Sequence, residues 1–258
     1  ISARIDALDP ASKGLLQLAA IAGARFSTAV VAEAAGVDDP TPLVADLASN
    51  GLITPTRGRI GEWSFASDLV REAALRGTLG VQRRDYHRLI ASALETIHKD
   101  NLVPWHQVLA KHCAEGGRLL DAARFAFAAG EALEQRQLLD RAKELYLRGL
   151  KWIALAPKTP DNWDARVQGE AMLNLRLGVV ELLLGDITHG EHYLQIALDI
   201  SSDVGLPWIE VRAHLELGRS YLNRSRYLLA NAHIGQVRAL LRIAGDSSLE
   251  IDALEAAA

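Results

Sequence analysis

Residues 177–198 read LGVVELLLGDITHGEHYLQIAL, two apolar helical runs hinged at Gly185–Asp186, with a glycine inside each run. His189, Glu191 and His192 carry the side chains of a metal or acid–base site, and histidines three apart share a helix face. A zinc site needs at least a third protein ligand, and H-G-E-H is not the H-E-x-x-H arrangement, whose histidines stand four apart. The histidines therefore read as surface or groove residues, and Gly178 and Gly190 become the informative pair. A missing side chain in each of two facing helices lets their backbones touch.

That pattern is the test for a helical repeat. In tetratricopeptide repeats small residues recur near positions 8, 20 and 27 of a unit of about 34 residues. With Gly178 at position 8, Gly190 falls at 20, Leu194 at 24 and Ala197 at 27. With Gly218 at position 8, Ala230 falls at 20 and Ile234 at 24, while Val237 replaces the small residue at 27. The 40 residues from Gly178 to Gly218 exceed the standard unit, so these are tetratricopeptide-like repeats. Upstream, the register fits Ala110, Ala122, Ala126 and Ala129, and again Gly130, Ala142, Tyr146 and Gly149. These frames lie 20 residues apart and must share a helix, so 105–156 reads as three successive helices of one array.

Helical periodicity predicts further helices over about 105–115, 119–136, 138–156, 164–184, 188–204, 207–223 and 227–244, broken at glycine, proline and Gly-Asp turns. The N-terminal part differs. Asp9-Pro10, Ser27 and Asp39-Pro40 open three short helices, and LITPT and EWSF flank the glycine-containing RGRIG as a hairpin. The fold class is all-α with one small β-hairpin wing: a winged helix at 1–80 with its following helix, then a right-handed tetratricopeptide-like α-solenoid at 81–258. The missing initial methionine and the alanine-rich end suggest a piece of a longer chain.

The chain has 258 residues, a net charge of −4 and a single cysteine, Cys113, which excludes an internal disulfide. No stretch has the roughly 18 apolar residues of a membrane span, and no signal peptide opens the sequence, so the expected location is cytoplasmic. Local charge alternates. Seven arginines oppose four acids over 57–88, two arginines oppose eight acids over 161–203, and six arginines oppose two acids over 206–245. Such segments suit a partner of complementary charge or one another.

The order of pieces resembles the region that follows the ATPase domain in STAND-type signalling ATPases, the group that includes MalT-like regulators and bacterial kinase- or cyclase-linked proteins. The resemblance rests on LLQLAAIAGARFS, VAEAAGV and LVADLASNGLI, then FASDLVREAAL, RRDYHRLIASALE and the stretch from LAKHCAEGGRLL to KELYLRGL. It implies a regulatory and sensor region in contact with an absent ATPase domain. One departure is Ser67, where that family often has a histidine after the wing; a switch role for that histidine has no carrier here. No G-x-x-x-x-G-K-[ST] loop is present.

No nucleophile elbow, phosphate cradle or metal-ligand set appears, so catalytic, cofactor and metal residues are all expected to be none, and the chain is expected not to be an enzyme. A winged helix invites a DNA-binding regulator as the alternative. Its third helix, PTPLVADLASNG, contains Asp46 and no basic residue, however, which the phosphate backbone would repel. The favoured partner is a protein or peptide, acidic in character. In the Gly218 repeat, the groove positions 2, 5, 9, 12 and 13 are Arg212, Leu215, Arg219, Leu222 and Asn223, a mixed basic and apolar strip. In the Gly178 repeat they are the apolar Met172, Leu175, Val179, Leu182 and Leu183.

Overall fold

The computed structural model describes residues 1–244. The turn expected at Gly245–Asp246 and the array's continuation toward Ala258 lie outside the described residues. The chain forms two compact units, Ile1–Arg118 and Leu119–Ala258.

The first unit contains α1 (Ser2–Asp6), α2 (Pro10–Ala22), β1 (Arg25–Ser27), α3 (Thr28–Ala35), α4 (Thr41–Ser49), β2 (Ile53–Pro55), β3 (Glu62–Phe65), α5 (Asp68–Arg76), α6 (Gly80–Ile97) and α7 (His106–Glu115). Asp9 starts α2 as the sequence requires: its carboxylate accepts from the Ala11 and Ser12 amides at 2.9 and 3.1 Å, ahead of Pro10 in the first turn. Leu15, Leu16, Leu18 and Ala19 of that helix are buried. Ser67 caps α5, its hydroxyl accepting from the Val70 amide at 3.4 Å.

From α2 to β3 the order is helix, strand, helix, helix, strand, strand, with an antiparallel sheet ordered β1-β3-β2, as in a winged helix. The β2–β3 hairpin is the expected wing. β1 was not anticipated, because three residues are too few to show alternation; it pairs with β3 through Phe26↔Trp63 and its neighbours. The boundary also falls later than residue 80. α6, with buried Ile90, Ala91 and Leu94, packs on α2 and α3, and α7 packs on α6. This places α7 in the first unit, not at the head of three successive solenoid helices.

The second unit is an α-solenoid of helical hairpins: α8 (Leu119–Glu134) with α9 (Leu139–Leu155), α10 (Trp163–Leu183) with α11 (Ile187–Val204), and α12 (Pro207–Asn223) with α13 (Tyr227–Ala244). α10 also contacts α8, α9 and α12. Of the two upstream frames, Gly130-Ala142-Tyr146-Gly149 is the one that spans a hairpin, whereas the Ala110 frame straddles both units. All three hairpins turn alike. The amides of Leu138, Asp186 and Arg226 each bond at 2.9 Å to a carbonyl five residues back, of Leu133, Glu181 and Tyr221. The intervening residue takes positive φ in each: Gln137 at 57°, Gly185 at 90° and Ser225 at 58°.

The close approach is real. A Cβ on Gly178 would stand 2.7 Å from Leu194 Cγ and 3.0 Å from the Gly190 carbonyl, and one on Gly190 would stand 3.1 Å from the Gly178 carbonyl. Gly178→Ala should cost about 1–3 kcal/mol through overpacking. Gly235→Ala, with nothing within 4 Å of its Cβ, should stabilise by about 0.5–1 kcal/mol. Urea denaturation of both variants checks this, and equal midpoints would contradict the contact.

Two histidine pairs bridge neighbouring helices. His87 and His112 join α6 to α7 with their Nδ1 atoms 3.0 Å apart, and His214 and His233 join α12 to α13 at 2.8 Å. In each pair one ring donates Nδ1–H to the other, whose accepting Nδ1 carries no proton. Burial, reinforced by His87, holds His112 down at about 3, and burial with His233 holds His214 down at about 4. Unfolded imidazole takes its proton near pH 6.5, so stability is full above that value and falls as pH drops toward the folded values. Between pH 7 and pH 5 the His112 contribution should fall by roughly 2 kcal/mol. Guanidinium midpoints at the two pH values test this; an unchanged midpoint would refute it.

Candidate functional site

The candidate site lies in the second unit, on one stripe of α10. Alanines and glycines along an inner helix leave recesses where the neighbouring inner helices stand beside it. The first, of about 370 Å³, is lined from α8 and α10 by residues including Leu120, Ala123, Phe127, Met172 and Leu173, with Ile153 of α9. Small Ala165 and Gly169 line it too. The second, about 450 Å³, shares Phe127 and Met172 with the first and adds Glu131, Leu175, Arg176, Trp208 and Arg212. The third, about 330 Å³, lies between α10 and α12, with Val179, Leu182 and Leu183 on one side and Glu216, Arg219, Ser220, Asn223 and Arg224 on the other.

The structure therefore brings together the two strips read from the repeat frames. All five apolar positions of the Gly178 repeat line the second or third recess, as do Arg212, Arg219 and Asn223 of the Gly218 repeat. Leu215 packs instead with Val211 and Val237 beside α13, and Leu222 is exposed and lines none of these three recesses. Sequence reasoning missed Phe127, Glu131, Arg176 and Trp208. The signal was present: the same groove positions counted from the Gly130 frame yield Arg124, Phe127 and Glu131.

Charges in the groove are unevenly matched. Glu134, buried at the end of α8, receives the Tyr146 hydroxyl and both Arg176 Nε and Nη2, at 3.2 and 2.7 Å. Burial and that carboxylate push the Tyr146 hydroxyl far above its ordinary range, so it stays a donor. Arg176 is thereby spent on Glu134. Glu131, one turn earlier, forms no hydrogen bond or ion pair among the described residues. Burial raises its pKa, with Arg176 acting in opposition. Along α12, Arg212 and Arg219 approach the single Glu216 at 3.6 and 3.8 Å, and Arg224 pairs with Glu191 of α11. Three guanidiniums there meet two carboxylates.

The residues that first suggested histidine chemistry have structural duties. Asp186 caps α11 by accepting from the His189 amide at 3.1 Å, and His189 Nδ1 stands 2.8 Å from the same carboxylate. These bonds hold Asp186 below its ordinary pKa. Among the described residues no three His, Cys, Asp or Glu side chains cluster as metal ligands, and no helix is long and apolar enough to cross a membrane. In the first unit α4 presents no basic residue, and Arg59 of the wing is paired with Glu62 at 3.0 Å.

Removing one partner of the buried Glu134 cluster should separate its parts. Arg176→Met leaves a buried carboxylate without its cation and should cost about 3–5 kcal/mol. Tyr146→Phe removes a single donor and should cost about 1–2 kcal/mol. Urea unfolding of the two variants tests the ranking, and a reversed order would place the charge elsewhere.

No protein-family model and no curated protein matches the chain. Among solved structures it is similar to the crystal structure of a signal transduction ATPase with numerous domains (STAND) protein with a tetratricopeptide repeat sensor from Pyrococcus horikoshii, at 13% identity and a TM-score of 0.32. The match covers 98% of this chain and 54% of that one, so this chain spans about half the length of that protein.

Proposed function

We propose that the second unit is a non-enzymatic peptide-binding module, and that the chain is the regulatory or sensor portion of a larger signalling protein of the STAND type. The observation that carries the binding role is the run of three recesses along one stripe of α10, walled by three inner helices and floored by apolar side chains. Peptide recognition by helical repeats uses such a surface, with apolar anchors in recesses and charged groups at the rim. The regulatory role draws on the sequence resemblance, with its winged-helix element order followed by repeats. A DNA-reading winged helix has less support, since α4 carries Asp46 and no cation to meet a phosphate.

Peptides selected on the whole chain from a random heptamer library provide the test. Ala165→Trp places a large ring at the exposed mouth of the first recess and should weaken the selected peptides at least tenfold. Arg219→Glu should weaken the acidic ones by about the same factor, since a charge-assisted contact becomes a repulsion. Neither change should move the denaturation midpoint appreciably. Selected peptides that bind both variants as tightly as the parent chain would remove the groove as the site.

A further inference from the structure

The three recesses differ in chemistry, and their order along α10 is fixed. The first is lined mainly by apolar side chains, with Gln168 and the paired Asp121 and Arg124, 3.4 Å apart, as its polar residues. The second is lined by Glu131, which has no ion-pair partner among the described residues, and by two aromatic residues, Phe127 and Trp208. A carboxylate beside aromatic rings is a setting for an ammonium or guanidinium group, which gains both an ion pair and a ring-face contact. The two cations already there are engaged elsewhere: Arg176 is held by Glu134, and Arg212 leans toward Glu216. The third recess has the reverse imbalance: its carboxylate, Glu216, is already approached by Arg212, and Arg219 stands 3.8 Å from it. Apolar, anionic and cationic surface thus succeed one another.

Helix geometry supplies a ruler. Gly169, Arg176 and Leu183 mark the three recesses on α10, and seven helical residues advance about 10 Å. A peptide extended in the polyproline II conformation advances about 9 Å in three residues and returns every third side chain to the same face.

Resting on the reading of this groove as a peptide site, we propose that its ligand is an extended segment of about seven residues in which a large apolar residue, a basic residue and an acidic residue follow at intervals of three. The apolar side chain fills the recess beside Gly169, the basic one meets Glu131 in the recess that Phe127 and Trp208 also line, and the acidic one meets Arg219. This sharpens the expectation of an acidic partner: acid is recognised at one end of the groove, while its middle selects a cation. The raised pKa of Glu131 accords with a desolvated carboxylate awaiting a counter-charge.

The test is calorimetric titration of the whole chain with four synthetic heptapeptides, glycine and serine filling the unspecified positions. The matched peptide carries leucine first, lysine fourth and glutamate seventh; the second exchanges lysine and glutamate; the third has methionine at the fourth position; the fourth has leucine at all three. The matched peptide should bind at least tenfold tighter than the exchanged one. Glu131→Gln should weaken the matched peptide about tenfold and leave the methionine peptide within twofold of its parent affinity. Equal affinity for the matched and exchanged peptides overturns the charge order while leaving the groove a peptide site. Equal losses for the lysine and methionine peptides in Glu131→Gln overturn the role of the carboxylate. Absence of binding by all four peptides overturns both the order and the groove.

Discussion

The second unit depends on how closely two helices of a hairpin can pass. At the crossing of α10 and α11, Gly178 and Gly190 each stand against the other's carbonyl, so any side chain at either position would part the helices. That constraint sets the angle at which α11 returns and the face of α10 that remains free of it. Met172, Leu175, Val179 and Leu182 recur along α10 at helical spacing and line the recesses, while the same side chains pack on the core that α10 shares with α11 and α12, Leu182 against Gly190. Lining and packing in α10 are therefore carried by overlapping residues.

The first hairpin solves the same problem with different chemistry. In the repeat frame Tyr146 occupies the position that Leu194 holds in the next hairpin, and Glu134 the position of Leu182. A Cβ on Gly130 would run into the Tyr146 ring, so the glycine is needed to seat the larger side chain. Its hydroxyl then reaches Glu134, and Arg176 closes the arrangement from the following inner helix. A polar cluster has replaced an apolar contact and ties successive hairpins together. It also engages Arg176, so that Glu131 is left without a hydrogen-bonded cation among the described residues.

Much of this was legible in the sequence because helical periodicity and small-residue spacing are local signals. The seven predicted helical stretches from residue 105 onward match α7 to α13 within a few residues at either end, and the glycine pair identified its hairpin. What escaped detection depended on tertiary contact. β1 is a strand only because β3 pairs with it, and α6 joins the first unit through its packing on α2 and α3. The groove was half read for a different reason: positions were counted in two repeats and not in the third, so Phe127 and Glu131 stayed out of view. Arg212 and Arg219 were legible as cations, but not their common dependence on Glu216.

The three hairpin turns have one further meaning. They share one hydrogen-bond closure and one left-handed residue, although that residue is glutamine, glycine or serine. The turn is thus a standard joint whose identity is set by geometry and not by its local sequence. Standard joints let the units between them vary in helix length and surface while the path of the chain is preserved. Each hairpin can then carry its own surface on a common chain path, within the limits set by the polar contacts that join it to its neighbours, such as Arg176 with Glu134 and Lys143 with Glu181.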